Sequence, residues 1–306
     1  MSPATPEQEG GQAPPALMPL LRGLEDLKRI RSAQLPGSIA ERLFAQAWSA
    51  LAAGAHPADA ARHMVRQALA ATVLGDLDAD LLGLAGVPEE PAHGIVQATV
   101  EAASAPLAPA LRAWLLDAPA PVQRGNPPPF VARLAAQPRA GATAPGRGRL
   151  ILDPPESHAE HCALVAVFGV LLAPTWGARP ETVFLAGLAH HFHNALLPDS
   201  GFAGEMALGE WLTPVMARAT ALALDELAPD LRAATEAACR ILPDATTPEG
   251  RTFHAADTLD RVLQVEAQLR AAGTSMAFVL REMELVHAGP VKPFQDAVLA
   301  RMGLAA

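Results

Sequence analysis

The sequence predicts an all-α fold, on the basis of three observations. Apolar residues recur at helical spacing along most of the chain, as they do between Ser38 and Gly54. Capping residues, prolines and glycines stand where these segments begin and end, with Ser38 and Glu41 placed as a capping box. Nowhere do β-branched and polar residues alternate for long enough to indicate a sheet, and only LILD at 150–153 is compatible with an extended chain.

The elements of the first half follow in order. Residues 1–16 are rich in Pro, Gly, Gln and Ala without periodicity, which predicts a disordered start. Helices are predicted at 38–54 and 57–75, where a proline opens the second segment and a glycine ends each one. Shorter apolar segments follow at about 78–85, 88–103 and 107–117. Together these segments predict a small helical domain over 17–117.

The segment 118–150 has a different composition, because it contains seven prolines and five arginines but no acidic residue. Such a composition packs poorly, so the segment is predicted to be a Pro/Arg-rich linker. We favour a solvated connector over a basic strap that covers an anionic ligand, and both interpretations stay open.

Helical patterns return from 151 to the end of the chain and predict a second, larger helical domain over 151–306. No internal repeat of fixed period is evident in either half. The predicted helices lie at about 156–173, 179–197, 204–225, 229–242, 248–272, 275–287 and 291–303.

Composition narrows the classes of partner. The net charge of −9 and the pI near 5.6 argue against a nucleic-acid polymer, which requires a basic surface. No membrane partner is expected, since no unbroken apolar run reaches the roughly 20 residues of a membrane span and no basic, apolar leader is present. We therefore expect a cytoplasmic protein whose partner is a small anionic substrate, while a homo-oligomer stays open. Two separate cysteines give no metal or redox motif.

Histidines are the most informative feature of the second half. They cluster in SHAEH at 157–161, in HHFH at 190–193 and, beside Asp257, in FHAAD at 253–257. Imidazole and carboxylate groups brought together from three helices are a common way to build a metal site inside a bundle. On a regular helix His190 would share a face with His193 and Asn194, while His191 would point about 100° away.

These residues, in this order, resemble the HD-domain superfamily of metal-dependent phosphohydrolases. SHAEH is similar to the S-x-x-E-H motif of the 5′-deoxyribonucleotidase-like branch, and AADTLDRVLQ at 255–264 is similar to its ADKLD…LQ helix. The resemblance covers roughly 150–290. It implies an HD-type helical bundle in which His161, His190 and Asp257 hold a metal ion.

The chain departs from the family pattern at two positions. His191 stands where the family has the Asp of its His-Asp pair, and a neutral imidazole cannot bridge two ions, so one divalent ion is expected (Mn, Co, Fe, Zn or Mg), with His191 as a fourth ligand. Asn194 replaces a Glu that handles the attacking water. Asp199 matches the next acidic residue of that branch, and it or His193 is expected to take the proton. Pro-Asp-Ser-Gly is also a turn signal, so both roles of Asp199 stay open.

Two classes of function follow from this resemblance. We favour a metal-dependent phosphohydrolase that acts on a small phosphoester, with nucleotides among the candidates. One alternative is an HD-type module that has lost catalysis and binds a ligand or partner. The surplus of histidines also keeps open an HD-type iron oxygenase.

Overall fold

The computed structural model describes residues 15–117, 122–272 and 275–304, and within them it confirms the all-α prediction. The described residues form fourteen α-helices and no β-strand, with three isolated β-bridges. One bridge joins Leu150 to Ala142, so LILD is only briefly extended. Most of the predicted disordered start, 1–14, lies outside the described residues.

Seven helices occupy the first half of the chain. The predicted helices of this half appear as α2 to α6, and α1 and α7 are additional. Their bounds are α1 (Met18–Glu25), α2 (Ile39–Ala52), α3 (Pro57–Leu74), α4 (Ala79–Leu84), α5 (Glu89–Ala103), α6 (Pro109–Leu116) and α7 (Pro129–Ala136). A 3-10 turn, Asp26–Lys28, extends α1.

Seven more helices form the second half. The predicted helix at 204–225 is divided in two at Gly209, and the one predicted at 275–287 contains only a π-helical turn, Phe278–Glu282. The bounds are α8 (His158–Trp176), α9 (Pro180–Ala189), α10 (Gly201–Leu208), α11 (Leu212–Leu224), α12 (Pro229–Ala238), α13 (Pro248–Ala272) and α14 (Lys292–Arg301).

Helix α8 lies at the centre of the fold. Its first 16 residues are all buried, and it packs against α2, α9 and α13. A helix that is apolar on all sides needs such an environment, because it has no face suited to water. It is the one helix of the described residues that is long and apolar enough to cross a membrane, yet 83% of that apolar window is buried in the protein. This burial is typical of the core of a soluble protein, and the cytoplasmic location stays a prediction.

The described part of the predicted linker, 122–150, is more ordered than a solvated connector. It contains α7, whose Phe130 is fully buried with its ring 5.0 Å from Trp48 and 4.5 Å from Phe192. Apolar residues from both halves belong to one continuous core. The boundaries of the two domains therefore stay predictions, and the core that surrounds α8 is shared between them.

Candidate metal centre

Three elements bring the four predicted metal ligands together. His161 lies in the second turn of α8, His190 and His191 follow the end of α9, and Asp257 lies in α13. His161 Nε2 is 3.0 Å from His190 Nε2 and 3.2 Å from Asp257 Oδ1, and His190 Nε2 is 3.9 Å from the same oxygen. Ring nitrogens of the three histidines all lie within 4.8 Å of one another.

The end of α9 explains why two consecutive histidines reach one point. The sequence predicted a helix through residue 197, which would turn His191 away from His190. The helix instead ends at Ala189, with His190 as its C-cap, and a 3-10 turn begins at Phe192. His191 lies between the two with φ −105° and ψ 24°, outside the α-helical region. The predicted helical face shared by His190 and His193 is therefore wrong.

Each of the three imidazoles is held by a hydrogen bond at Nδ1. His161 Nδ1 lies 2.5 Å from Asp260 Oδ2, and His190 Nδ1 donates to the Gly187 carbonyl at 2.8 Å. His191 Nδ1 donates to Asn194 Oδ1 at 2.8 Å, and the Asn194 amide is oriented because its Nδ2 donates to the Leu197 carbonyl at 3.1 Å. All three acceptors are oxygens, so the proton of each neutral ring lies on Nδ1.

The Nε2 atoms of His161 and His190 therefore face each other, and a ring nitrogen of His191 lies within 4.8 Å of the ligand atoms of both. Two nitrogen ligands of a tetrahedral ion lie about 3.3 Å apart when each bond is about 2.0–2.1 Å. The 3.0 Å between His161 Nε2 and His190 Nε2 is near that value, and it is repulsive for two bare lone pairs. The donor set of three imidazole nitrogens and one carboxylate fits a divalent ion of intermediate softness.

The local electrostatics keep these groups in the protonation states of metal ligands. Burial, together with His161, lowers the pKa of His190 to about 3, and burial beside His190 and His158 lowers the pKa of His191 strongly. Burial alone would raise the pKa of Asp257, but the contact with His161 Nε2 at 3.2 Å and the charge of Arg261 outweigh it and hold that pKa below its usual range. At neutral pH the site therefore offers His190 and His191 as neutral imidazoles and Asp257 as an ionised carboxylate.

A buried ion-pair network supports His161 from behind. Lys28 Nζ lies 2.7 Å from Asp260 Oδ1, 2.6 Å from Glu156 and 2.8 Å from Glu25. Burial would lower the pKa of Lys28, but these three carboxylates raise it instead. Glu156, His161 and Asp260 also converge closely enough to hold a metal, yet the ammonium group of Lys28 already contacts both carboxylates there.

Asp199 has the turn role that its local sequence predicted. Its Oδ1 accepts from the Gly201 amide and its Oδ2 from the Ala140 amide, both at 2.8 Å. The carboxylate also lines the cavity beside the candidate metal centre, so the predicted proton-accepting role stays a prediction.

His158 Nε2 lies 3.7 Å from Asp199 Oδ2, and burial lowers the pKa of His158 to about 2. His158 is fully buried.

The two other predicted catalytic residues occupy different places. Asn194 lines the cavity, where its amide also holds His191. The His193 ring lies 5.4 Å from that of His191, and it is not among the residues that line the cavity. Burial lowers the pKa of His193 to about 4. Of the predicted proton acceptors, Asp199 is thus the one that faces the space above the metal centre.

A cavity of about 380 Å³ opens beside His190, His191 and Asp257. Two arginines face it: Arg139, from the predicted linker, and Arg261, one turn after Asp257. Apolar side chains also line the cavity, and they are those of Phe202, Leu242, Phe253, Val265, Met283 and Leu285. The cavity thus combines a cationic part near the metal centre with an apolar part.

Several residues of the site were not predicted. Asp260 follows Asp257 by three positions on α13, and this spacing could have revealed it as a neighbour of His161. Lys28 and Arg139 come from segments distant in sequence, where no local pattern marks them. No family model matches the chain, and neither the curated proteins nor the solved structures contain a match.

Proposed function

We propose that the chain is a metal-dependent phosphohydrolase that acts on a small phosphoester. The observation that carries the proposal is the convergence of three imidazoles with their Nδ1 atoms bound to oxygen acceptors and their Nε2 atoms facing one point beside Asp257. The same residues are those that resemble the HD-domain ligand set. His161, His190, His191 and Asp257 would hold one divalent ion.

The donor set favours some ions over others. Imidazole-rich sites suit Zn and Fe, while Mn and Mg prefer oxygen ligands and Mg also retains water. Such an ion lowers the pKa of water and polarises a phosphoryl oxygen. The chain supplies the fixed ligands and, through Asp260 and Asn194, their orientation.

The charges of the cavity support an anionic substrate. Arg261 Nη1 lies 3.8 Å from Asp257 Oδ2, and Arg139 pairs with Glu156 at 3.3 Å, so both guanidinium groups border the metal centre. They would bind phosphoryl oxygens, and the apolar side chains would bind the remainder of the ester. A cavity of about 380 Å³ accommodates a small molecule of nucleotide size.

Two carboxyl groups in the cavity suit the proton transfers. Asp199 would accept a proton from the attacking water. Burial, with a contribution from the Asp199 charge, raises the pKa of Glu205, which lines the same cavity. Glu205 therefore retains its proton to higher pH than usual and suits protonation of the leaving oxygen.

The excess of nitrogen donors favours one second candidate, an iron-dependent oxygenase. Iron(II) enzymes of this kind use imidazole and carboxylate ligands with open coordination positions. The identity of the bound metal distinguishes the two activities. Bound iron would indicate an assay for oxygenase activity, and bound zinc, manganese or cobalt would indicate an assay for hydrolysis.

The test is metal content followed by activity. We would measure metal by elemental mass spectrometry on untagged protein purified without chelators, together with His161→Ala and Asp257→Ala. His93→Ala is the matched control, because His93 is exposed on α5 and distant in sequence from the site. The proposal predicts one ion per chain in the wild type and the control, and none in the two site variants.

Hydrolysis would then be measured with p-nitrophenyl phosphate and a panel of nucleoside monophosphates. Activity that requires the ion and is lost in both site variants supports the phosphohydrolase. A protein that binds no metal, with all variants equally folded, refutes the proposal and leaves a non-catalytic binding module.

A further inference from the structure

Two stretches of the chain, 30–41 and 137–160, form the same set of hydrogen bonds. In each stretch an antiparallel contact precedes a helix that begins with a Ser/Glu capping box. The equivalent backbone bonds are Ile39 N to Ile30 O (2.9 Å) and His158 N to Gln137 O (3.1 Å), then Ser32 N to Gly37 O (3.0 Å) and Arg139 N to Glu156 O (2.7 Å). The equivalent capping residues are Ser38 with Glu41 and Ser157 with Glu160.

The equivalence continues through the next helix. Both α3 and α9 begin with a proline, and in both an aspartate stands 19 positions later. Each aspartate accepts a hydrogen bond from the backbone of the stretch before its capping box. The pairs are Pro57 with Asp76, whose Oδ2 accepts from Ala33 N (2.6 Å), and Pro180 with Asp199, whose Oδ2 accepts from Ala140 N (2.8 Å).

A third match follows in each half. Residues 107–113 (LAPALRA) span the start of α6, and residues 227–233 (LAPDLRA) span the start of α12. Six of the seven residues are identical. The helices that correspond also meet in space, since α2 packs on α8 and α3 packs on α9. Two identical units related by a two-fold axis pair through the same elements in this way.

These equivalences are those of a tandem duplication, with one unit near 18–117 and a second near 129–240. No fixed period reveals it, because α8 is five residues longer than α2 and the segment before its capping box is longer as well.

The first unit has lost the ligands of the second. By the register of the two capping boxes, Arg42 stands at the position of His161. By the register of the two prolines and aspartates, Gln67 stands at the position of His190 and Ala68 at that of His191. Arg42 Nε pairs with Asp76 Oδ1 at 2.7 Å, and both side chains are largely buried. An internal ion pair thus occupies the place in the first unit where the second unit has its imidazoles.

We propose that the first unit is a built-in partner that completes the metal centre of the second unit, with Lys28 as a positioning residue for His161. This role rests on the proposed metal function. Lys28 belongs to the first unit, yet its ammonium group binds Glu156 of the second unit and Asp260 of α13, the helix that follows that unit. The equivalent position in the second unit is Ala135, which has no charged group that could form the same ion pair with the first unit.

The physical link runs from Lys28 through Asp260 to His161. Lys28 Nζ lies 2.7 Å from Asp260 Oδ1, and Asp260 Oδ2 lies 2.5 Å from His161 Nδ1. Lys28 and Asp260 are both buried, so no water replaces either partner. Without the ammonium group the Asp260 carboxylate would lose the contact that fixes it opposite His161 Nδ1, and the ring would lose its orientation toward the metal.

The experiment compares Lys28→Met with Arg22→Met. Arg22 of α1 also pairs with α13, at Glu266 (2.8 Å), but this pair does not reach His161. Affinity for Zn²⁺ and Mn²⁺ would be measured by calorimetry on the full chain, with circular dichroism as the test of folding. We expect Lys28→Met to weaken metal binding by about 10–100-fold and Arg22→Met to leave it within about twofold.

A second variant and a second readout keep the test decisive. Asp260→Asn removes the carboxylate at unchanged size, and it decides the question if Lys28→Met does not fold. Wild-type affinity in Asp260→Asn, or equal affinity in both Met variants, overturns the role of Lys28 and leaves the proposed function intact.

If the wild type binds no metal, the proposed function fails, and the NMR resonance of the His161 Nδ1 proton decides this inference. A resonance unchanged in Lys28→Met would overturn it, and a shifted or lost one would support it.

Discussion

Asn194→Ala removes the acceptor that orients His191. In the wild type, His191 Nδ1 donates to Asn194 Oδ1 at 2.8 Å, and Asn194 is buried. The variant leaves the ring free to rotate and leaves a buried N–H group without a partner. Loss of such a supporting residue weakens metal binding by about 10–100-fold, or about 1.4–2.7 kcal/mol. The unpaired group lowers the free energy of unfolding of the apoprotein by a further ~1–3 kcal/mol.

Calorimetric titration with Zn²⁺ or Mn²⁺ measures the first effect, and chemical denaturation of the apoprotein measures the second. Asn194→Asp is the matched control, since it retains an oxygen acceptor at the same distance, and its metal affinity is expected to stay within about threefold of the wild type. A double-mutant cycle adds a stricter condition: in a His191→Ala background, Asn194→Ala is expected to cause no further loss of affinity. Full additivity of the two losses would refute the claim that Asn194 acts through His191.

Three further predictions concern the core, the acid response and the ligand set. Phe130→Ala empties a fully buried site and is expected to reduce the free energy of unfolding by about 3–5 kcal/mol, measured by denaturation, whereas no loss would mean that α7 does not belong to the core. Burial, with nearby positive charges, lowers the pKa of His63 and of His287 to about 4. The unfolded chain therefore binds more protons between pH 6.5 and 4, and stability is expected to fall as pH falls through this window, by at most about 1.4 kcal/mol per pH unit for each histidine. Constant stability there would contradict the burial of these rings, and His287→Phe should reduce the slope. His191→Asp supplies a carboxylate able to bridge two ions and is expected to raise the metal content above one per chain; an unchanged content would place residue 191 outside the ligand set.

Local chemistry explains what could be predicted from the sequence. Ser38 with Glu41 marks the start of α2, and the apolar spacing after it marks the helix, because capping and amphipathicity act within a few residues. The convergence of His161, His190 and Asp257 was predicted from the resemblance to the HD-domain pattern. The structure brings them together as expected.

The parts that could not be predicted depend on contacts between distant segments. The end of α9 at Ala189 has no proline or glycine to signal it, yet it determines that His191 faces the site. From the local sequence alone, Lys28 would be interpreted as a charged residue on the exposed face of a helix. Its contact with Asp260 becomes evident only in the folded structure. Arg139 lies in a proline-rich segment that composition alone assigns to solvent.

Metal-edge X-ray absorption and anomalous diffraction on the wild-type protein would show whether a metal ion binds at the four proposed ligands, since they identify the ion and the atoms around it. We expect one ion bound to Nε2 of His161, His190 and His191 at about 2.0–2.1 Å, with the Asp257 carboxylate as a further ligand. An ion bound elsewhere, with these four side chains uncoordinated, would contradict it.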